Sequence, residues 1–179
     1  DGGGQVRSCM IHRNGVTNDD ASLVARGGGV YMRGQGMVMR SMLSNNLADE
    51  GGGVFLAPAD GFTSDYLILT TNIITNNTAR VNGGAVYMNK GGVIQQSTIA
   101  MNYCTAARTL MSGGVYNGET GGVYINEKGV VFNTVLWNNQ GKANSRGLFA
   151  LNPSTDKVKV WAATMAEKTL INWNGIDQK

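Results

Sequence analysis

Residues 83–102 read Gly83-Gly84-Ala85-Val86-Tyr87-Met88-Asn89-Lys90-Gly91-Gly92-Val93-Ile94-Gln95-Gln96-Ser97-Thr98-Ile99-Ala100-Met101-Asn102, and the same phrase returns along the chain. Its skeleton is Gly-Gly-x-Val-Tyr, a gap, then Gly-x-Val-x-x-Ser-x-Ile-x-x-Asn. Aligned on the closing Asn, copies end at Asn14, Asn46, Asn77, Asn102, Asn139 and, in degenerate form, Lys168, at spacings of 32, 31, 25, 37 and 29 residues. Three positions before these anchors stand Ile11, Leu43, Ile74, Ile99, Leu136 and Met165. Five before stand Cys9, Ser41, Asn72, Ser97, Thr134 and Ala163, and eight before stand Val6, Val38, Leu69, Ile94, Val131 and Val160. Agreement at three offsets marks an internal repeat, and a repeat of this length decides the architecture.

The step from five to three before the anchor is the period of a strand, and β-branched residues recur there. The three-residue step from eight to five cannot lie on one straight strand, so it predicts a bend between two short strands, with Gly4, Gly36, Gly92 and Gly129 at the entrance. The Gly-Gly-x-Val-Tyr segment supplies a third strand: 30–32, 54–56, 86–88, 123–125 and 148–150. Short strands in columns that recur every coil predict an all-β chain, a parallel β-helix solenoid of about six rungs with three short strands each. At a strand spacing of about 4.8 Å the stack would run roughly 29 Å. The anchors Asn14, Asn46, Asn77, Asn102 and Asn139 are expected to form a structural ladder. Asn tolerates the left-handed conformation of a sharp corner, and stacked amides can bond along the column as the backbone does. The Gly pairs read as corner residues and not as phosphate cradles, because no Lys-Ser or Lys-Thr follows them and no helix context surrounds them.

The phrases Gly83-Gly84-Ala85-Val86, Gly27-Gly28-Gly29-Val30 and Gly51-Gly52-Gly53-Val54, with their Ile/Leu-x-x-Asn closers, resemble the repeats of polymorphic outer-membrane proteins. Those repeats pair Gly-Gly-Ala-Ile/Leu with Phe-x-x-Asn, and this chain has Ile or Leu where they have Phe. Similar phrases occur in autotransporter passengers with right-handed, pectate-lyase-like β-helices. The resemblance covers nearly the whole chain and implies a right-handed coil and an extracellular, bacterial cell-surface location associated with the outer membrane. Partners would then be surface glycans or other surface proteins.

Composition bounds the rest. Of 179 residues 26 are Gly and only 2 Pro, and no Gly-x-y period runs through them, which excludes collagen. A 42% hydrophobic share is enough to bury a core. No apolar run is long enough to be a membrane-spanning helix. The net charge of +3 is scattered, which argues against a nucleic-acid stripe. Cys9 and Cys104 belong to coils too far apart for a disulfide, so both are expected as free thiols. The whole of 1–179 reads as one β-helix segment of a larger chain. Residues 103–120, which hold a second Gly-Gly-Val-Tyr at 113–116, read as a lateral loop insertion, and 169–179, with Trp173, as a C-terminal cap. Further rungs, or another subunit, are expected to cover the N-terminal end, where the chain opens inside a rung.

Two sets of residues are candidates for chemistry. Tyr31, Phe55, Tyr87, Tyr124 and Phe149 form an aromatic column. With the neighbouring aliphatic residues turned inward, Tyr31, Tyr87 and Tyr124 would stack on a sugar or pack beneath a loop; turned inward themselves, they would be core. The acidic pairs Asp19-Asp20 and Asp49-Glu50 follow the anchors of adjacent rungs. They would offer an acid/base pair or a calcium site, the only cofactor the pattern admits, against the plainer reading in which Glu50 pairs with Arg26 across rungs. The pectin-hydrolase landmark Gly-His-Gly is missing, and the lone His12 has no second His to share a zinc ion. The expected function is therefore a non-catalytic, adhesin-like structural segment. A polysaccharide lyase or hydrolase, or a glycan-binding module, is the alternative.

Overall fold

The computed structural model describes residues 4–20, 22–59, 66–105, 120–141, 147–151 and 158–165. Taken in chain order, the rungs are β1 (Gly4–Arg7) and β2 (Met10–His12); β3 (Val30–Arg33), β4 (Gly36–Met39), β5 (Met42–Ser44) and β6 (Leu47–Glu50); β7 (Val54–Ala57), β8 (Leu67–Thr70), β9 (Ile73–Thr75) and β10 (Thr78–Asn82). Then follow β11 (Val86–Asn89), β12 (Val93–Gln95), β13 (Thr98–Ala100) and β14 (Tyr103–Cys104); β15 (Val123–Asn126), β16 (Gly129–Phe132) and β17 (Val135–Trp137); and β18 (Leu148–Leu151), β19 (Val158–Trp161) and β20 (Thr164–Met165). Equivalent strands of successive rungs pair in parallel. They form the sheets β1-β4-β8-β12-β16-β19, β2-β5-β9-β13-β17-β20 and β18-β15-β11-β7-β3. The chain is a parallel β-helix.

A fourth sheet, β14-β10-β6, adds to the three strands per rung expected from the repeat. It begins directly after the anchor Asn. One consequence is that Tyr103–Cys104 belongs to the stack, paired with Thr78–Ala79, so the expected insertion cannot begin at residue 103. Most of that insertion, with the second Gly-Gly-Val-Tyr at 113–116, lies outside the described residues, as do Lys168 and the expected cap at 169–179.

The register runs Ile11↔Leu43↔Ile74↔Ile99↔Leu136 on one sheet and Val6↔Val38↔Leu69↔Ile94↔Val131↔Val160 on another. With Val54, Leu56, Val86, Met88, Val123 and Ile125 from the third, these columns make one continuous apolar core. Each inward residue meets mainly its equivalents above and below. The core is therefore a set of columns rather than a central knot.

Each rung turns twice through a single left-handed residue. Ser8, Arg40, Thr71, Gln96, Asn133 and Ala162 occupy the first bend, and Arg13, Asn45, Asn76, Met101 and Asn138 the second, all with φ between 47 and 57°. This corrects the expectation that the anchor Asn itself takes the left-handed conformation: that role falls to the residue before it. The strain of a left-handed Arg or Met is held in place by the residue that follows, whose side chain bonds to neighbouring backbone. The Gly pair makes a third corner for two reasons. Gly51 needs its φ of 64°, and a Cβ on Gly28 would come within 2.5 Å of the carbonyl oxygens of Leu47 and Gly52.

Candidate functional site

The anchor Asn residues form a continuous bonded column. The backbone N–H of Asn46 donates to Asn77 Oδ1 (3.0 Å), that of Asn77 to Asn102 Oδ1 (2.9 Å), and that of Asn102 to Asn139 Oδ1 (3.1 Å). Their Nδ2 groups donate along the same column and to carbonyls near the core: Asn77 to Leu43, Asn102 to Ile74 and Asn139 to Ile99, each 2.9 Å. Asn14 joins through its N–H and Nδ2, both donating to Asn46 Oδ1. A second column stands at the first bend. There Cys9 Sγ, Ser41 Oγ, Ser97 Oγ and Thr134 Oγ1 each donate to the carbonyl two residues earlier. Cys9 thus substitutes for a hydroxyl, and neither cysteine forms a disulfide: Cys9 is exposed, and Cys104 is buried with its thiol donating to the Val81 carbonyl at 2.9 Å. No buried side-chain nitrogen or oxygen among the described residues lacks a partner.

The acidic candidates fall on the side of the fold beyond the Asn column, where arginines take up Asp19, Asp49 and Glu50. Asp49 is fully buried; its Oδ1 accepts from Arg80 Nε at 2.7 Å and its Oδ2 from the Ala25 N–H at 2.8 Å. Arg80 reaches on to Asp19 Oδ1 (3.0 Å) and the Asn18 carbonyl (2.6 Å), so one guanidinium pins the segment 16–20 to the stack. The hydrogen bonds that Arg80 donates to Asp49 and then to Asp19 raise its pKa further. Glu50 accepts from Arg26 Nε at 2.9 Å, and Arg26 lies over the Phe55 ring at 5.1 Å. Burial pushes the Glu50 carboxyl above its ordinary value, while the Arg26 hydrogen bond acts in the opposite direction. Asp20 Oδ1 accepts from the backbone and hydroxyl of Ser22.

This arrangement does not suit calcium. Both oxygens of Asp49 face donors, and a cation there would have to displace Arg80. Among the described residues no three His, Cys, Asp or Glu side chains gather where they could hold a metal. Arg80 was missed in the sequence although a signal existed: it stands three residues after Asn77, as Asp49 stands three after Asn46, so the two are cross-rung neighbours of opposite charge. Without Asp49 the buried Ala25 N–H loses its acceptor, and Arg80 keeps only the exposed Asp19 and the Asn18 carbonyl. Asp49→Ala should therefore cost about 2 kcal/mol in a urea melt, whereas calcium should leave the wild-type melting temperature unchanged. A cost below about 1 kcal/mol, or a calcium-dependent rise, would contradict the clamp.

The aromatic column takes the packed alternative of its two outward readings. The aliphatic residues do face the core, but the rings on the opposite face are not an open platform. Phe55, Tyr87, Tyr124 and Phe149, with Ala57, make a second buried cluster. Their rings stack with centroids 5.0, 4.8 and 5.3 Å apart. Burial, with the nearby Glu50 charge second, pushes the Tyr87 phenol up. Only Tyr31, which stacks on Phe55 at 5.4 Å, is exposed, at 51%. Of the three tyrosines considered for sugar stacking or for packing beneath a loop, Tyr87 and Tyr124 are buried. A separate shallow cleft of about 270 Å³ opens on the outside of the six-stranded sheet that starts with β1, between Gln5, Gln35, Met37, Tyr66 and Ile68.

Fold and site together define a parallel β-helix repeat protein whose polar side chains are spent on stacking the coils. No protein-family model, curated protein or solved structure matches the chain.

Proposed function

We propose that this chain is a structural, adhesin-like segment of a bacterial secreted or cell-surface protein, a rigid spacer rather than a catalyst. The observation that carries the reading is the fate of the acidic pairs: Asp49 and Glu50 are each locked to an arginine instead of facing one another across a cleft. Hydrolysis or elimination on a polysaccharide needs carboxylates, or a base and a cation, converging on the substrate. The surface location rests on the likeness of the Gly-Gly-x-Val phrases to outer-membrane repeats. A glycan-binding reading keeps one foothold, the cleft beside Tyr66, where a ring, an apolar floor and two amides would suit a neutral sugar.

Two measurements test the proposal. Acidic and neutral polysaccharides incubated with the protein, with and without calcium, should yield neither unsaturated products nor new reducing ends; turnover abolished by Asp49→Asn would overturn it. Protease shaving of intact cells that encode the chain should release its peptides, and recovery only after lysis would remove the surface assignment. Glycan binding that disappears in Tyr66→Ala while the fold persists would favour the second reading.

A further inference from the structure

The sheet β2-β5-β9-β13-β17-β20 turns a column of side chains outward in the register Met10↔Met42↔Ile73↔Thr98↔Val135↔Thr164. Met10 is 68% exposed and Ile73 51%, and Met42 and Val135 are exposed too. Trp137, at 57%, and Met101, at one bend, widen the apolar surface. Arg40, at the first bend, His12, at the end of β2, and Arg13, at the second bend, flank it, all exposed. Across the two bends and the strands between them, residues 8–13, 40–45, 71–76, 96–101, 133–138 and 162–165, there is no carboxylate. The described acids lie elsewhere: Asp19, Asp20, Asp49 and Glu50 beyond the Asn column, and Glu127 between β15 and β16.

We infer that this face docks on an anionic lipid bilayer. Its charge is complementary to acidic headgroups, and its centre is apolar. The backbone within the sheet is paired strand to strand, so the face can approach the acyl boundary without exposing open hydrogen-bonding groups. Trp at the edge and Arg with a long aliphatic stem both suit the headgroup region, where the ring or stem sits in the apolar layer and the polar end stays wet. Methionines and branched aliphatics standing separately at strand spacing form a ridge that fluid chains can follow. A second copy laid on the same face would bring cations against cations and supply no acid to either.

The test uses the chain with vesicles of phosphatidylcholine alone and of phosphatidylcholine mixed with phosphatidylglycerol. Co-sedimentation is expected with the mixed vesicles and not with the neutral ones. Arg13→Gln with Arg40→Gln should weaken partition about tenfold or more, because each cation near an acidic surface contributes separately. Met42→Gln with Ile73→Gln should weaken it as well; both positions are exposed, and circular dichroism verifies that the variants remain folded. No binding to mixed vesicles overturns the inference. So does co-sedimentation that Met42→Gln with Ile73→Gln leaves unchanged, since that would indicate attraction to a polyanion without contact of the apolar column with the bilayer. Self-association in sedimentation equilibrium that the same pair of changes abolishes would assign the face to a second copy, and it also overturns the inference.

Discussion

Ile99→Asp is expected to lower the unfolding free energy by at least about 4 kcal/mol, the largest effect of any single change considered. Ile99 is fully buried between Ile74 and Leu136 in the inward column. A carboxylate placed there has no donor within the apolar core, and burying an unpaired charge costs far more than losing the methyl groups. The new Asp would have a folded-state pKa raised above its unfolded one. Its protonated form is then the cheaper one to bury, so the penalty is smallest at low pH and grows as pH rises past the unfolded value of about 3.9. Ile99→Val should cost only about 0.5–1.5 kcal/mol. Because neighbour contacts dominate a stack of coils, hydrogen exchange should accelerate first in the strands paired with Thr98–Ala100. A urea midpoint equal to that of the wild type would mean that the register is off by one residue, which would turn every inward assignment outward.

Asn102→Ala should cost about 3–5 kcal/mol, several times what the same change costs at Asn14. Asn102 is fully buried, and Asn77 donates to its Oδ1 from both its N–H and its Nδ2. Its own Nδ2 donates to Asn139 Oδ1 and to the carbonyls of Ile74 and Ala100. Truncation therefore strips partners from buried groups in three rungs, and each orphaned group costs about 1–3 kcal/mol, moderated where a second partner remains. Asn14 is exposed and gives two bonds to Asn46 Oδ1, so water replaces much of what Asn14→Ala removes, for an expected cost below about 1 kcal/mol. Paired urea melts measure the ratio. Equal costs at the two positions would show that the column stabilises the rod through corner conformation rather than through its bonds.

Both predictions concern residues that repetition alone brings forward. The offsets of three, five and eight before each anchor define inward columns because a solenoid converts sequence period directly into spatial stacking: what recurs along the chain lies in line along the axis. That is why Ile74 and Ile99 were legible as neighbours without coordinates, and why the Asn residues could be foreseen as a ladder. The left-handed residue was not legible. Ser8, Arg40, Thr71, Gln96, Asn133 and Ala162 share no side-chain chemistry. At the bends from Ser8 to Asn133 the corner is held by the side-chain bonds of the residue that follows, so almost any side chain is carried into that conformation. The fourth sheet was hidden for a related reason: Leu47–Glu50 and Thr78–Asn82 match only approximately, with a register shift between Ala79 and Asn82.

Function-bearing residues depended least on the period. Asp49 read as half of a candidate acid pair until Arg80, 31 residues away, occupied it, whereas the pairing of Glu50 with Arg26, 24 residues away, was already legible as a cross-rung contact. The tyrosines make the contrast sharper. Tyr31 and Tyr124 each follow a Gly-Gly pair and a Val and stand in the same column, yet one is 51% exposed and the other 2%. A local pattern specifies which way a side chain points, since alternation on a strand leaves only two choices. Whether an outward side chain then meets water or protein depends on what the rest of the chain lays across it, and no period in the sequence encodes that.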